Sequence, residues 1–260
     1  MLTVRKKLFW MMPLMLGLLL AGCAPAGSGE QPTPQGQEPE QPSQANEPAG
    51  VEPSQEPGAA TLLYMGQGSL RIVTAEDKVI YIDPFSGDQY DLAADLILVT
   101  HGHPDHNQID LIENRSEDCR IITHVEALQD GEHQTFDLGF VTVEAVEAGY
   151  NNNHDVTQCV GYVLTFSNGK TVYVSGDTST TPQMAQLADR ALDYAFFCCD
   201  GKFNMDTAEA SECAALVGAK HSIPYHMAPG GANHFDRDIA EQFQAQGRII
   251  LEPGQELTVE

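Results

Sequence analysis

The run Thr100-His101-Gly102-His103-Pro104-Asp105-His106 follows directly on the largely apolar stretch Ala94-Asp95-Leu96-Ile97-Leu98-Val99, and this junction constrains the chain more than any other feature. Three imidazoles and a carboxylate fall within six residues, at the end of what reads as a buried strand. Neutral imidazole and carboxylate are common ligands of Zn²⁺ and similar ions. Extended backbone alternates its side chains, so His101 and His103 point to one side. A turn at Pro104 then brings Asp105 and His106 round toward a second ion. One loop can seed a two-metal centre, and the remaining ligands are expected at later strand ends.

The ends of the chain carry a different signal. Arg5, Lys6 and Lys7 precede an apolar run from Leu8 to Leu20, and small residues lead to Cys23, so residues 1–22 read as a targeting segment. Leu20-Ala21-Gly22-Cys23 resembles a bacterial lipobox, which implies cleavage before Cys23, lipidation of its thiol and attachment to the cell membrane from outside the cytoplasm. Acyl chains can hold a protein at a bilayer without a spanning helix. Residues 23–59 are rich in Pro, Gln, Glu, Gly and Ser and too poor in apolar groups to offset their ordering entropy, so they read as a disordered tether. Residues 60–260 remain for one folded domain with a real core. The formal net charge is −24, and taking away the three basic residues of the signal leaves −27. Such a field disfavours nucleic acid as a partner.

Within the domain, short β-branched runs dominate the first half: Thr61 to Met65, Leu70 to Thr74, Val79 to Ile82, Leu96 to Thr100, Arg120 to Thr123 and Phe140 to Glu147. Val160 to Phe166 and Thr171 to Ser175 flank Asn168-Gly169, a strong hairpin turn. Helices are expected over Pro182 to Arg190, over Thr207 to Val217 with Asp206 or Thr207 as cap, and over Asp236 to Ala245, with His221 to Tyr225 as a strand. Cys119, Cys159, Cys198, Cys199 and Cys213 show no CxxC spacing and no readable disulfide framework. Cys198 and Cys199, beside the apolar run Tyr194 to Phe197, are expected as buried thiols.

Three further ligand candidates lie at strand ends: His154 in a polar loop before Gly161-Tyr162-Val163, Asp177 in Ser175-Gly176-Asp177-Thr178, and His226 after Ile223-Pro224-Tyr225. HxHxDH after an apolar strand, followed by these residues in this order, resembles the metallo-β-lactamase superfamily. The resemblance implies an α+β fold, a four-layer αββα sandwich. It also implies that His101, His103 and His154 bind one ion, Asp105, His106 and His226 the other, and that Asp177 bridges. Two divalent ions, Zn²⁺ first with Mn²⁺ or Fe²⁺ also suited, can share and activate a hydroxide and polarise an electrophile. Asp105 is placed to orient that hydroxide. Asp83, before Pro84, is a candidate partner for a ligating imidazole.

The succession Gly176-Asp177-Thr178, Asp200-Gly201-Lys202-Phe203-Asn204-Met205 and Ile223-Pro224-Tyr225-His226 is similar to the L-ascorbate-6-phosphate-lactonase-like branch, which includes many uncharacterised metal-dependent hydrolases. One departure is Gln67, in Tyr64-Met65-Gly66-Gln67-Gly68-Ser69, where that branch commonly carries His. Gln67 cannot titrate, which removes any acid–base role there. His234, in the glycine-rich loop Pro229 to His234, is a candidate substrate contact, and Lys202 a candidate contact for an anionic group of the substrate. The expectation is a hydrolase acting on a small-molecule ester, lactone, amide or phosphoester. The alternative is a non-catalytic metal- or ligand-binding lipoprotein that keeps the fold, and the presence of both Asp105 and Asp177 counts against it. The oligomeric state has no signature in the sequence.

Overall fold

Alternation of apolar residues builds two facing sheets in the computed structural model, which describes residues 58–227 and 234–260. The expected signal segment, Cys23 and the tether as far as residue 57 lie outside the described residues, as do residues 228–233 of the glycine-rich loop. Among the described residues no helix is long and apolar enough to cross a membrane.

The first sheet contains β1 (Ala60–Gly66), β2 (Ser69–Val73), β3 (Val79–Ile82), β4 (Ala94–Leu98) and β5 (Arg115–Ile122) in that order. A small hairpin, β6 (Leu128–Gln129) and β7 (Glu132–His133), stands apart. The second sheet runs from β8 (Thr135–Asp137) through β9 (Val141–Glu147), β10 (Val160–Phe166), β11 (Thr171–Val174) and β12 (Tyr194–Cys198) to β13 (His221–Tyr225). The last strand, β14 (Glu256–Val259), returns to the first sheet and pairs antiparallel with β1. Each sheet is mixed. β3, β4 and β5 are parallel in one, and β11, β12 and β13 in the other.

The period of two sorts the strands between layers. Ile80, Ile82, Leu96 and Leu98 enter the core between the sheets, while Val79, Tyr81 and Ile97 join a second cluster on the outer face with Met65 and Ile112. Tyr162 spans the layers, its buried Oη donating to the Val99 carbonyl at 3.0 Å. Four helices are described: α1 (His124–Ala127), α2 (Met184–Leu187), α3 (Thr207–Val217) and α4 (Arg237–Gln242). Asp206 caps α3 by accepting from the Ala208 and Glu209 amides, and Gly218 ends it in the left-handed region. Buried Ala210, Cys213, Ala214 and Val217 give α3 its inner face.

Several expected elements change length. The helix over Pro182 to Arg190 divides into α2 and a 3₁₀ turn, Ala188–Arg190, that stops at Ala191 in the left-handed region. The last helix ends at Gln242, because Phe243 turns extended. β5 begins at Arg115, five residues earlier than expected, and its mostly polar, exposed face hides it from an apolar count. β12 was expected only as a buried apolar run. Cys198 and Cys199 are buried there, and all five described cysteines are free thiols.

Candidate metal centre

The parallel strands of both sheets deliver their carboxyl ends to one edge, the usual place for a site in such sheets. Asp83 follows β3, the His101–His106 loop follows β4, Asp177 follows β11, Asp200 follows β12 and His226 follows β13. His154 comes from the loop between β9 and β10. Gly176 makes the approach possible: at φ +61, a Cβ there would lie 2.8 Å from the Val160 carbonyl and 3.1 Å from Thr100 Cβ.

Two triads of donors result. One atom from each of His101, His103 and His154 lies within 4.8 Å of the others, and the same holds for Asp105, His106 and His226. Asp177 stands between the triads. Its Oδ1 is 3.3 Å from the Nε2 atoms of both His106 and His226, and its Oδ2 is 3.3 Å from His154 Nε2. Within the triads, His101 Nε2 is 3.0 Å from His103 Nδ1, and His106 Nε2 is 3.0 Å from His226 Nε2. Nitrogens bound about 2 Å from a tetrahedral ion stand about 3.3 Å apart, so this spacing suits a shared cation.

Hydrogen bonding outside the cluster fixes which lone pairs face inward. The His106 Nδ1–H donates to Asp83 Oδ2 at 2.8 Å, and the His154 Nδ1–H donates to Asn151 Oδ1 at 3.1 Å. Thr100 Oγ1 gives its proton to Asp83 Oδ2 at 2.7 Å, leaving it to accept from His101 Nδ1 at 3.1 Å. Asp200 Oδ2 lies 3.4 Å from His226 Nδ1. The hydrogen bonds of His101, His106 and His154 direct an unprotonated Nε2 from each into the cluster around the Asp177 carboxylate, whose Oδ1 has no hydrogen-bond donor. Acceptors facing acceptors in a buried place require a cation, and this donor set fits one.

The proton affinities report the same crowding. Burial would lower the His106 and His226 imidazoles, yet the carboxylates around them together outweigh it, Asp177 with Asp83 at His106 and Asp177 with Asp105 and Asp200 at His226, and both rise, His226 to about 9. His101, buried among other imidazoles, falls to about 2. Burial would raise the Asp177 carboxyl, but His226 and His106 hold it well below the usual range. Without an ion, a proton on His226 takes the cation's part.

The expected site residues distribute as follows. His101, His103, Asp105, His106, His154, Asp177 and His226 come together. Asp83 is fully buried against His106 and Thr100. Gln67, buried at φ +50, places its Nε2 3.1 Å from Asp105 Oδ2 and 2.9 Å from His226 Nε2. Lys202 rests over the Phe203 ring at 4.5 Å. His234 packs on Phe85 and contacts Ser86 Oγ at 3.1 Å, and it is not among the residues lining the cavity at the cluster. Three residues escaped the sequence reading as positioning groups: Asn151, Asp200 and Asn204. Asn204 Nδ2 donates to Asp177 Oδ2 at 2.8 Å and to Asp200 Oδ2 at 2.7 Å. For Asp200 and Asn204 the signal was the Asp-Gly turn that closes an apolar strand, with Asp200 Oδ1 accepting from the Lys202 and Phe203 amides.

With this geometry in view, the family comparison is decisive: the model of the beta-lactamase superfamily domain matches residues 61–226. The chain belongs to the metallo-β-lactamase superfamily. The match spans every donor of the two triads. A protein named UPF0173 metal-dependent hydrolase from Natranaerobius thermophilus is 27% identical over 217 residues, covering 74% of this chain and 96% of the relative. A protein of the same name from Rubrobacter xylanophilus is 25% identical over 234 residues, covering 77% and 97%. Among solved structures, one described as a candidate metal-dependent hydrolase from Parabacteroides distasonis superposes with a TM-score of 0.61 at 26% identity, covering 74% of this chain and 91% of that one. The superfamily's sandwich fold is therefore the fold of this chain.

Proposed function

We propose that the protein is a metal-dependent hydrolase that uses two divalent ions to cleave an ester, lactone, amide or phosphoester of a small molecule. The observation that carries this reading is the pair of donor triads with the Asp177 carboxylate between them. His101, His103 and His154 would hold one ion, Asp105, His106 and His226 would hold the other, and Asp177 lies within reach of both triads. Zn²⁺ suits the imidazole-rich set best, with Mn²⁺ or Fe²⁺ as substitutes. Bound ions supply Lewis acidity, which polarises the electrophile and brings the pKa of water toward neutrality.

The chain's own groups do the rest. Asp105 is the most open member of its triad, with 37% of its side chain exposed, and it faces a cavity of about 340 Å³. Its carboxylate orients the attacking water and carries the proton to the leaving group. Gln67 Nε2 donates to Asp105 Oδ2 and fixes the carboxylate without competing for the proton. Asp83 and Asn151 hold His106 and His154 by hydrogen bonds, Asp200 lies 3.4 Å behind His226, and Asn204 holds Asp177, so the donors are arranged before substrate arrives.

The location proposed for this chemistry is the outer face of the cell membrane, with the domain tethered through a lipidated Cys23. It is supported by Arg5 to Lys7, the apolar run to Leu20 and the Leu20-Ala21-Gly22-Cys23 sequence. The test of function is hydrolysis of a panel of lactones, phosphodiesters and aryl esters by the metal-loaded protein and by Asp105→Asn. The variant should fold and lose at least about a hundredfold in turnover. Equal turnover would remove Asp105 from the mechanism.

A further inference from the structure

The cavity at the cluster continues along the loop that carries His154. Asn153 and His154 line both that cavity and a second one over residues 150–156. Tyr150 and Val156 in turn line both the second cavity and a third, of about 370 Å³, between this loop and the β6–β7 hairpin. These shared residues place the three spaces in succession along the loop, from the metal residues to Leu128 and Ala148.

Apolar groups are exposed along these spaces. Phe203, Tyr150 and Val156 are 40%, 41% and 41% exposed, and they are three of the seven large apolar side chains so exposed among the described residues. Their alignment along these spaces is unlike the isolated exposure that ordinary surfaces show. Tyr150 is also strained. It sits at φ +60, a region that bulky residues rarely adopt. The loop is fastened around it: the Gly149 amide donates to the Asp177 carbonyl at 3.1 Å, and the Gly149 carbonyl accepts from the Ser179 amide at 2.7 Å. The chain thus accepts strain to present a ring beside these spaces. The charged groups at the far end, Asp130 and Glu147, are both acidic, which disfavours an anionic occupant.

We infer that the substrate is elongated, with the scissile bond at the metal cluster and an uncharged apolar arm lying along Phe203, Tyr150 and Val156 into the space bounded by Leu128. The position of the reacting end rests on the hydrolytic reading above, whereas the apolar subsite rests on these spaces alone.

Two measurements on the Zn²⁺-loaded full chain test this. The first compares hydrolysis of 4-nitrophenyl acetate and 4-nitrophenyl octanoate. Each methylene taken from water contributes roughly fourfold, so kcat/KM for the octanoate should exceed that for the acetate by about tenfold or more. Val156→Asp should cut that ratio by about tenfold, and an ester of the same length ending in a carboxylate should gain nothing. The second follows the ¹⁹F resonance of Tyr150 in fluorotyrosine-labelled protein, assigned with Tyr150→Phe, during titration with 1-hexanol or ethanol. A saturable shift with hexanol and none with ethanol is expected. No saturable shift, or an ester preference indifferent to chain length and to Val156→Asp, overturns the inference. Binding of hexanol without hydrolysis of either ester leaves the subsite standing and counts against the ester-cleaving reading instead.

Discussion

Replacing Asp83 by Asn isolates how far the metal residues depend on the groups behind them. The carboxylate accepts from the Thr100 amide at 2.7 Å through Oδ1, and from Thr100 Oγ1 at 2.7 Å and His106 Nδ1 at 2.8 Å through Oδ2. It is fully buried, so no water can replace a lost partner. An asparagine amide cannot satisfy all three. With its oxygen toward the Thr100 amide, its NH₂ meets His106 Nδ1, which must then act as acceptor. That forces the His106 proton onto Nε2, the atom that faces His226 and Asp177. With the amide reversed, two donors oppose each other in the interior, at a cost of about 1–3 kcal/mol. Either way, affinity for the ion held by His106 should fall about 10- to 100-fold, equivalent to roughly 1.4–2.7 kcal/mol. The ion held by His101, His103 and His154 should be affected less, through Thr100 alone. Competition with a chromophoric chelator resolves the two equivalents, and circular dichroism checks the fold. A variant that retains wild-type affinity at both sites would refute the argument that Asp83 sets the His106 tautomer.

Further consequences can be measured directly. The Asp177, Asp105 and Asp200 carboxylates raise His226 to about 9, so this imidazole of the metal-free protein is protonated at neutral pH. Metal uptake should therefore release protons below pH 9 and tighten as pH rises, which calorimetry in buffers of different ionisation enthalpy detects; pH-independent uptake would contradict it. In the metal-free protein the stability from His226 is fully present below about pH 6.5 and lost as pH rises through 9, so chelator-treated protein should weaken over that interval. Gly176→Ala should bring Cβ against the Val160 carbonyl and weaken metal binding at least about tenfold with the sandwich intact, read by elemental analysis after dialysis. Tyr162→Phe removes the buried donor to Val99 and should lower unfolding stability by about 1–2 kcal/mol in urea, with no change in metal content. Burial would raise the Asp193 carboxyl, but Lys220 Nζ at 2.7 Å and the Thr171 amide at 3.0 Å outweigh it and hold it low. Its contribution is present above about pH 4 and lost as pH falls through the folded value, so Asp193→Asn should flatten the acid limb of the stability curve.

Much of the site was legible because its donors sit where strands stop. An apolar run ending in His101 or His226, or in Gly176-Asp177, marks a carboxyl end of a strand, and carboxyl ends are where both sheets meet solvent. The hairpin at Asn168-Gly169 and the capped helix after Asp206 were equally plain, since turn and cap chemistry is local. What stayed hidden is non-local. β12 is apolar at all five positions, and a run without periodicity does not choose between strand and helix until its neighbours β11 and β13 are known. β5 lies at the sheet edge with an exposed polar face, so its first residues carry no apolar signal. Asp200 and Asn204 are ordinary loop residues until the fold brings them against His226 and Asp177. His234, singled out by its glycine-rich surroundings, packs on Phe85 and lies 3.1 Å from Ser86 Oγ, contacts that no local pattern signals.

The central claim is that the two triads and Asp177 hold a pair of divalent ions. Elemental analysis of protein purified without chelator, and again after dialysis against Zn²⁺ or Mn²⁺, tests it most directly. The account predicts close to two equivalents per chain, falling to about one when His226 is replaced by Ala and the His101, His103 and His154 triad is left intact. Less than stoichiometric metal after both treatments, in protein shown to be folded, would contradict it.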